Sequence, residues 1–382
     1  MLLAGQLAVG GLVRPGWLRI VGTTIDEVGE GAPPAPEDEH TDGLIAPGLV
    51  DVQVNGGGGV DVQDGDRALD RLDLLALDHG ITSYLPTLAS PDLERAEEVA
   101  AAIARRAVDP DSPVAGLHLE GPFLAPAHAG MHPLERLRPP PSELPSWLRW
   151  PPVRLVTLAP ELPGALALIA ELRRRDVVVS LGHSGASLEQ GAEAVAAGAT
   201  MVTHLFNAMG PLRHRAPGLP GLALVDPCIT IGLIADGHHV APAVLELVRR
   251  AAGERVALVS DASAAAGLSE PPRASAADAG EARPPGGPTT LSGVEVYLRA
   301  DGTVRTATGE LAGSTLTLNV AVRRWTELTE ASLPDALRAG SEVPAGAVGL
   351  ASGIRAGLPA DLVVLGQRAE VQRVMLRGRW RF

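Results

Sequence analysis

The chain of 382 residues contains no lysine; every one of its 32 Lys-plus-Arg positions is arginine. That excludes Schiff-base chemistry, phosphate binding by a P-loop lysine, and a carbamylated lysine bridging two metal ions. It holds one cysteine, Cys228. An intrachain disulfide and thiolate metal clusters are therefore excluded, a usage that suits a reducing cytoplasm. No run approaches 18 uninterrupted apolar residues, so no membrane span is expected. The opening M-L-L-A-G-Q-L-A-V-G-G-L-V-R-P-G lacks the basic start of a signal peptide, and Arg14 interrupts it. Basic charge is scarce as well: the net charge is −13 and the isoelectric point about 5.2, which argues against nucleic acid as a partner. A few local donors can still bind a small anion, so a phosphorylated small molecule fits this balance.

What is present is a chain 46% hydrophobic, able to bury a large core. Residues 1–43 alternate short apolar pieces with Gly, Asp and Glu, and 343–382 end in A-D-L-V-V-L-G and V-Q-R-V-M-L-R-G-R-W-R-F. Both ends read as antiparallel β-structure, expected to join as one composite β-sandwich. Between them, 44–342 reads as eight strand–helix units, with strands at 44–54, 80–88, 114–120, 154–160, 177–183, 199–204, 228–236 and 256–261. Helical stretches such as D-L-E-R-A-E-E-V-A-A-A-I-A-R-R separate them. The expected fold class is α/β, a (β/α)8 TIM-like barrel, which takes about 250 residues. The Pro-, Gly- and Ala-rich segment 269–290 reads as a mobile loop near the barrel mouth.

Four of the apolar runs stop at a residue that binds metals or moves protons: V-A-G-L-H-L-E at Glu120, V-V-V-S-L-G-H at His183, A-T-M-V-T-H at His204 and R-V-A-L-V-S-D at Asp261. A short apolar run with a polar tip reads as a buried parallel strand. The C-terminal ends of barrel strands all face one mouth. Any one tip alone is as consistent with a solvated strand end; four in register point to one site. Glu120, His183 and His204 form a three-ligand set for a divalent ion, with a fourth position for water. Asp261 is the natural general base beside that water. His118, two residues before Glu120, faces the barrel interior and is expected to fill the core. Where two-metal hydrolases place H-x-H, the first strand carries Gln53 and Asn55. Amides are poor ligands for transition metals, so one ion per chain is expected, zinc or iron.

The ordered motifs H-L-E-G-P-F, G-H-S-G-A-S, T-H-L-F-N-A-M, R-A-P-G, I-A-D-G-H-H-V, L-V-S-D-A-S-A-A-A-G and L-A-G-S-T-L-T resemble the N-acetylglucosamine-6-phosphate deacetylases of the amidohydrolase superfamily. The resemblance runs from about residue 44 to the C-terminal A-D-L-V-V-L. It implies metal binding by Glu120, His183 and His204, and acid–base work by Asp261. It further implies substrate contacts from Met131 and His132 in A-G-M-H-P, from Asn207, Ala208, Arg215 and His239, and from Leu311, Ala312 and Gly313. The family supplies some sugar-phosphate contacts across a dimer interface, so a cytoplasmic homodimer acting on an amino-sugar phosphate is the expectation. The family motifs fix the deacetylation better than the sugar. An N-acetylgalactosamine-6-phosphate enzyme, or a catalytically silent barrel used as a binding scaffold, are the alternatives.

Overall fold

The computed structural model describes residues 1–143, 145–268, 288–366 and 368–381. Eight parallel strands form its centre: β1 Leu49–Val54, β2 Ile81–Ala89, β3 Leu117–Glu120, β4 Val153–Leu158, β5 Val178–Leu181, β6 Met201–Val202, β7 Thr230–Leu233 and β8 Val256–Leu258. Each pairs with the next in sequence order. The ring closes where Val54 bridges Ala262 in parallel, and the Asn55 and Gly56 N–H groups both donate to the Ala262 carbonyl at 2.9 and 3.0 Å. This is the barrel expected from the strand–helix alternation, with most strands shorter than their apolar runs. The stretch singled out as helical forms Leu93–Ala107, and G-A-L-A-L-I-A-E-L-R-R-R, between β4 and β5, forms Ala165–Arg173. Among the described residues, no helix is long and apolar enough to cross a membrane.

The run read as one strand over 44–54 is two strands. Glu39–Pro47 runs in the terminal sheet, and β1 begins at Leu49. Gly48 makes the break: a Cβ there would lie 2.1 Å from Thr82 Oγ1. The chain passes against β2 at a distance only a bare backbone allows.

Both termini meet in a single seven-stranded sheet, in the order 379–380, 371–376, 362–365, 39–47, 2–9, 12–21 and 24–30. It is one hydrogen-bonded sheet and not wholly antiparallel, because Leu2–Val9 and Glu39–Pro47 run parallel. Strand Leu362–Leu365 is buried on both faces, and the alternation of strand side chains explains why. Leu362 and Val364 join Leu3, Leu18 and Ile45 in the sheet's own core, while Val363 and Leu365 belong to the barrel's. One four-residue strand thus couples the appendage to the barrel.

Of the Pro-rich segment, 269–287 lies outside the described residues. Its last part is not loop: Pro288–Leu291 is a strand, followed by Val294–Leu298 and Val304–Thr306 in a three-stranded antiparallel sheet. The turn between the first two, Ser292–Gly293, has φ of 52° and 78°. Positive φ at both central residues matches the twist of a tight hairpin. This small sheet buries Leu291, Val296 and Val304 against Ala265 and Ala312, with Met131 packed beside them.

A methyl group at Gly48 forces overpacking against Thr82, a class of change worth about 1–3 kcal/mol. Gly48→Ala is expected to lower the thermal unfolding midpoint by several degrees. Gly346→Ala, where an added Cβ meets nothing within 4 Å in the helix Glu342–Ala347, should leave it unchanged or raise it. Differential scanning calorimetry of the two variants checks this.

Candidate active site

Every barrel strand leads to a polar group at the mouth: Asn55 after β1, Ser90 after β2, Glu120 ending β3, Glu161 after β4, His183 after β5, His204 after β6, Asp236 after β7 and Asp261 after β8. Four of them leave their strand in the left-handed region, with φ of 39° at Ser90, 49° at His183, 31° at His204 and 48° at Asp261. For residues other than glycine such backbone costs on the order of 1–3 kcal/mol each and persists only where the surroundings impose it. Here the sharp exit ends the hydrogen-bonded ladder early at His183, His204 and Asp261, whose side chains are buried in the mouth.

Three of the expected residues converge on one atom. Glu120 Oε1 lies 3.1 Å from His183 Nε2 and 3.0 Å from His204 Nε2, and the two nitrogens are 3.2 Å apart. These separations approach the roughly 3.3 Å edge of a tetrahedron built on bonds of about 2.0–2.1 Å. His183 Nδ1 faces the His128 carbonyl at 2.9 Å. A carbonyl only accepts, so Nδ1 carries the hydrogen, and a neutral His183 aims the lone pair of Nε2 at the carboxylate. A lone pair and a carboxylate oxygen at that distance repel unless a cation lies between them. The donor set therefore fits a divalent metal ion. His132 also lies close: one ligand atom each of Glu120, His132 and His183 fall within 4.8 Å of one another. The set with His204 has all three separations at 3.0–3.2 Å, the spacing one ion needs, and it is the set the chemistry favours.

With no cation between them, both imidazoles can instead bear a hydrogen on Nε2. Burial opposes the charged form of Glu120, yet the hydrogen bonds and charges His183 and His204 then supply outweigh it and hold its carboxyl well below the usual range. Burial likewise opposes charge on His204, but Glu120 raises its pKa overall. Asp261 goes the other way: burial, then the neighbouring Glu120 charge, push it up to about 6. Two carboxyl groups in one mouth are thus separated by environment, one held ionised and the other poised to take a proton.

Gln53 and Asn55 stand between them. Gln53 Nε2 is 3.2 Å from Glu120 Oε1 and 3.1 Å from Asp261 Oδ1, and Asn55 Nδ2 is 2.8 Å from that same Oδ1. Amide N–H groups occupy the space between the carboxylates that a second cation would need.

Solved structures supply the comparison. A mutant of the Mycobacterium smegmatis N-acetyl-D-glucosamine-6-phosphate deacetylase, in complex with N-acetyl-D-glucosamine-6-phosphate, superposes with a TM-score of 0.89 at 35% identity, covering 100% of this chain and 98% of that one. The human N-acetylglucosamine-6-phosphate deacetylase is 37% identical over 353 residues, 88% of this chain and 82% of the human one. The chain belongs to the N-acetylglucosamine-6-phosphate deacetylase family of metal-dependent amidohydrolases. An N-acetylgalactosamine-6-phosphate deacetylase of Escherichia coli O157:H7 is also 37% identical, over 354 residues, 90% of this chain and 89% of its own. No protein-family model matches the chain.

Set against this family, the other expected residues divide. His132 is buried, its ring packs edge-on to His183 with centroids 4.5 Å apart, and its Nδ1 lies 2.8 Å from Ser90 Oγ. Burial, with the nearby His183, pulls its pKa down to about 3. A Cβ on Gly130 would come 3.6 Å from His183 and 3.9 Å from Ala208, so the 130–132 loop and Ala208 line one wall. Met131 and Ala312 pack in the small three-stranded sheet. Gly313, with φ of 60°, fits where a Cβ would lie 3.0 Å from the Asp261 carbonyl, and the half-buried Leu311 leads into it. Asn207 spends its amide on the His204 and Leu205 carbonyls. The His239 side chain is buried against Asp236, Nδ1 to Oδ2 at 2.6 Å. Arg215 is exposed in the short turn 213–216, and the structure does not bring it to the ligand cluster.

The reading of the sequence left out Ser90, Glu161 and Asp236. Glu161 accepts from Ser184 Oγ and from the Gly185 N–H, both at 2.7 Å, and so braces the turn that aims His183. All three show the signal that marked Glu120, His183, His204 and Asp261, a polar residue at or just past the end of a buried apolar run. His118 is buried as expected, but in a layer of hydroxyls rather than an apolar core. Its ring nitrogens meet Thr157 Oγ1 at 2.8 Å and Thr87 Oγ1 at 3.3 Å, and burial lowers its pKa to about 4.

Proposed function

We propose that this protein hydrolyses the N-acetyl group of N-acetylglucosamine 6-phosphate to glucosamine 6-phosphate and acetate, as a cytoplasmic homodimer with one zinc or iron ion per chain. The observation that carries the reading is the convergence of Glu120, His183 and His204 within 3.2 Å of one another beside a carboxyl group adapted to carry a proton. Those three residues would hold the ion. When bound, it supplies Lewis-acid polarisation of the amide carbonyl and lowers the pKa of water.

The chain's own groups do the rest. Both amide bonds to Asp261 fall on Oδ1, which fixes the plane of the carboxylate and leaves Oδ2 to face the water. Asp261 takes a proton as the water oxygen bonds to the acyl carbon. It returns that proton to the amine nitrogen as the carbon–nitrogen bond breaks. A carboxyl pKa of about 6 suits both directions of transfer near neutrality. Met131, His132, Asn207, Ala208, His239 and the 311–313 segment would seat the sugar. Arg215 would meet the phosphate, its exposure suiting a contact made across a subunit interface.

The deciding experiment measures acetate release from N-acetylglucosamine 6-phosphate and from the galactosamine epimer side by side, with metal analysis of the same sample. Faster release from the glucosamine substrate, at one divalent ion per chain, is expected. Two equivalents of metal would refute the single-ion site, and no release from either sugar would refute the deacetylase reading.

Asp261→Asn keeps the shape and loses the proton acceptor. It should keep its metal and its thermal midpoint while turnover falls by roughly 10²–10⁴-fold. Near-normal turnover would assign the proton to another group.

Arg215→Ala should depress turnover of the phosphorylated sugar strongly while leaving the slow reaction of unphosphorylated N-acetylglucosamine almost unchanged, since remote binding energy aligns the reacting amide. Equal loss on both substrates would place Arg215 in support of the fold instead.

A further inference from the structure

His132 and His183 pack edge-on, yet their far nitrogens meet opposite chemistry. His183 Nδ1 faces a carbonyl, which can only accept, so its Nε2 is a bare lone pair. His132 Nδ1 faces the Ser90 hydroxyl at 2.8 Å, a group that can donate or accept. Ser90 is fully buried, and among the described residues the hydrogen-bond partner of its hydroxyl is His132 Nδ1. A buried hydroxyl that leaves its hydrogen unused carries the full desolvation cost of that group. The hydrogen therefore goes to Nδ1, and the neutral imidazole bears its own hydrogen on Nε2.

The surroundings hold Ser90 to this task. Its N–H donates to the Glu120 carbonyl at 2.8 Å, which ties it to the strand carrying that ligand. Gly121 leaves room for the hydroxyl, since a Cβ there would lie 2.7 Å from Ser90 Oγ. Arg136 Nη1 donates to the Ser292 carbonyl at 3.0 Å, and Ser292 Oγ accepts from the Ala89 N–H at 3.1 Å, pinning the end of β2 to the loop that carries His132.

We infer that Ser90 is a positioning residue: its hydroxyl donates to His132 Nδ1 and fixes the tautomer with hydrogen on Nε2, which keeps His132 off the metal ion and presents an N–H donor to the bound amide. This explains why the chain can place a third imidazole beside Glu120 and His183 without adding a ligand. The use of that N–H on an amide rests on the deacetylase reading; the tautomer itself does not.

The test is the nitrogen NMR spectrum of the zinc-loaded, substrate-free protein with ¹⁵N-labelled histidine, the His132 signals being identified by their loss in His132→Gln. The expected spectrum has a protonated Nε2 and a bare Nδ1 for His132. A hydrogen on Nδ1 in the unmutated protein overturns the inference with no variant needed. Ser90→Ala should keep its metal content, lose the single-tautomer pattern, and fall about 10–100-fold in kcat with little change in KM. Unchanged kcat, or loss of the metal, would overturn the positioning role. A protein with the expected spectrum that releases no acetate would instead refute the deacetylase reading alone.

Discussion

One carboxylate oxygen organises this molecule. Glu120 Oε1 is buried and lies within 3.2 Å of the amide nitrogen of Gln53 and an imidazole nitrogen of both His183 and His204. Those groups come from strands 1, 3, 5 and 6 of the barrel, so the ring must be closed and correctly registered before they meet. Charge buried at such a point is costly unless it is paired. The dependence runs both ways: the barrel assembles the cluster, and a cation at the cluster removes the repulsion that the barrel's geometry creates between a lone pair and a carboxylate.

Gln53 and Asn55 show how a small change of residue type changes the electrostatics of the whole mouth. Histidines at these positions would invite a second cation between Glu120 and Asp261. The amides instead place N–H donors there, at 2.8–3.2 Å from the two carboxylates. Donors of partial charge stabilise the pair less than a cation would, and Asp261 consequently keeps a raised pKa. The proposed single-ion site and the proposed proton carrier Asp261 both rest on this one pair of amides.

Much of this was legible in the sequence, for a specific reason. The apolar runs before Glu120, His183, His204 and Asp261 are parallel strands buried along nearly their whole length, and such strands are nearly unbroken in hydrophobicity, so their polar tips stand out. The same signal marks Ser90, Glu161 and Asp236, whose contacts are with His132, with the Ser184–Gly185 turn and with His239. What the pattern hides is whatever depends on close approach or backbone conformation. Nothing local says that Gly48 splits a continuous apolar run between two sheets; the reason is Thr82, thirty-four positions later. The hairpin from 288 to 306 was masked by the proline-rich residues before it. Its signals, V-E-V-Y-L followed by A-D-G-T-V, lie just beyond. Arg215 illustrates a different gap. A motif assigns it a role, whereas a single folded chain leaves it in solvent.

The polar layer beneath the mouth accounts for a last feature. Thr87, His118, Thr157, Ser180 and Thr203, from five consecutive strands, form one buried chain of hydrogen bonds across the barrel, with links of 2.6 to 3.3 Å. An apolar filling would serve the core better by area alone, since isolated hydrogen bonds contribute modestly. A connected network gains something an apolar layer lacks: each hydroxyl orients the next, so strand register is coupled around the ring. Glu120 lies two residues beyond His118 on the same strand face, and Gly182 lies against Thr157 and Thr203 one residue before His183. The layer thus fixes the height at which Glu120, His183 and His204 emerge, and separations of 3.0–3.2 Å among them tolerate little sliding of one strand past another.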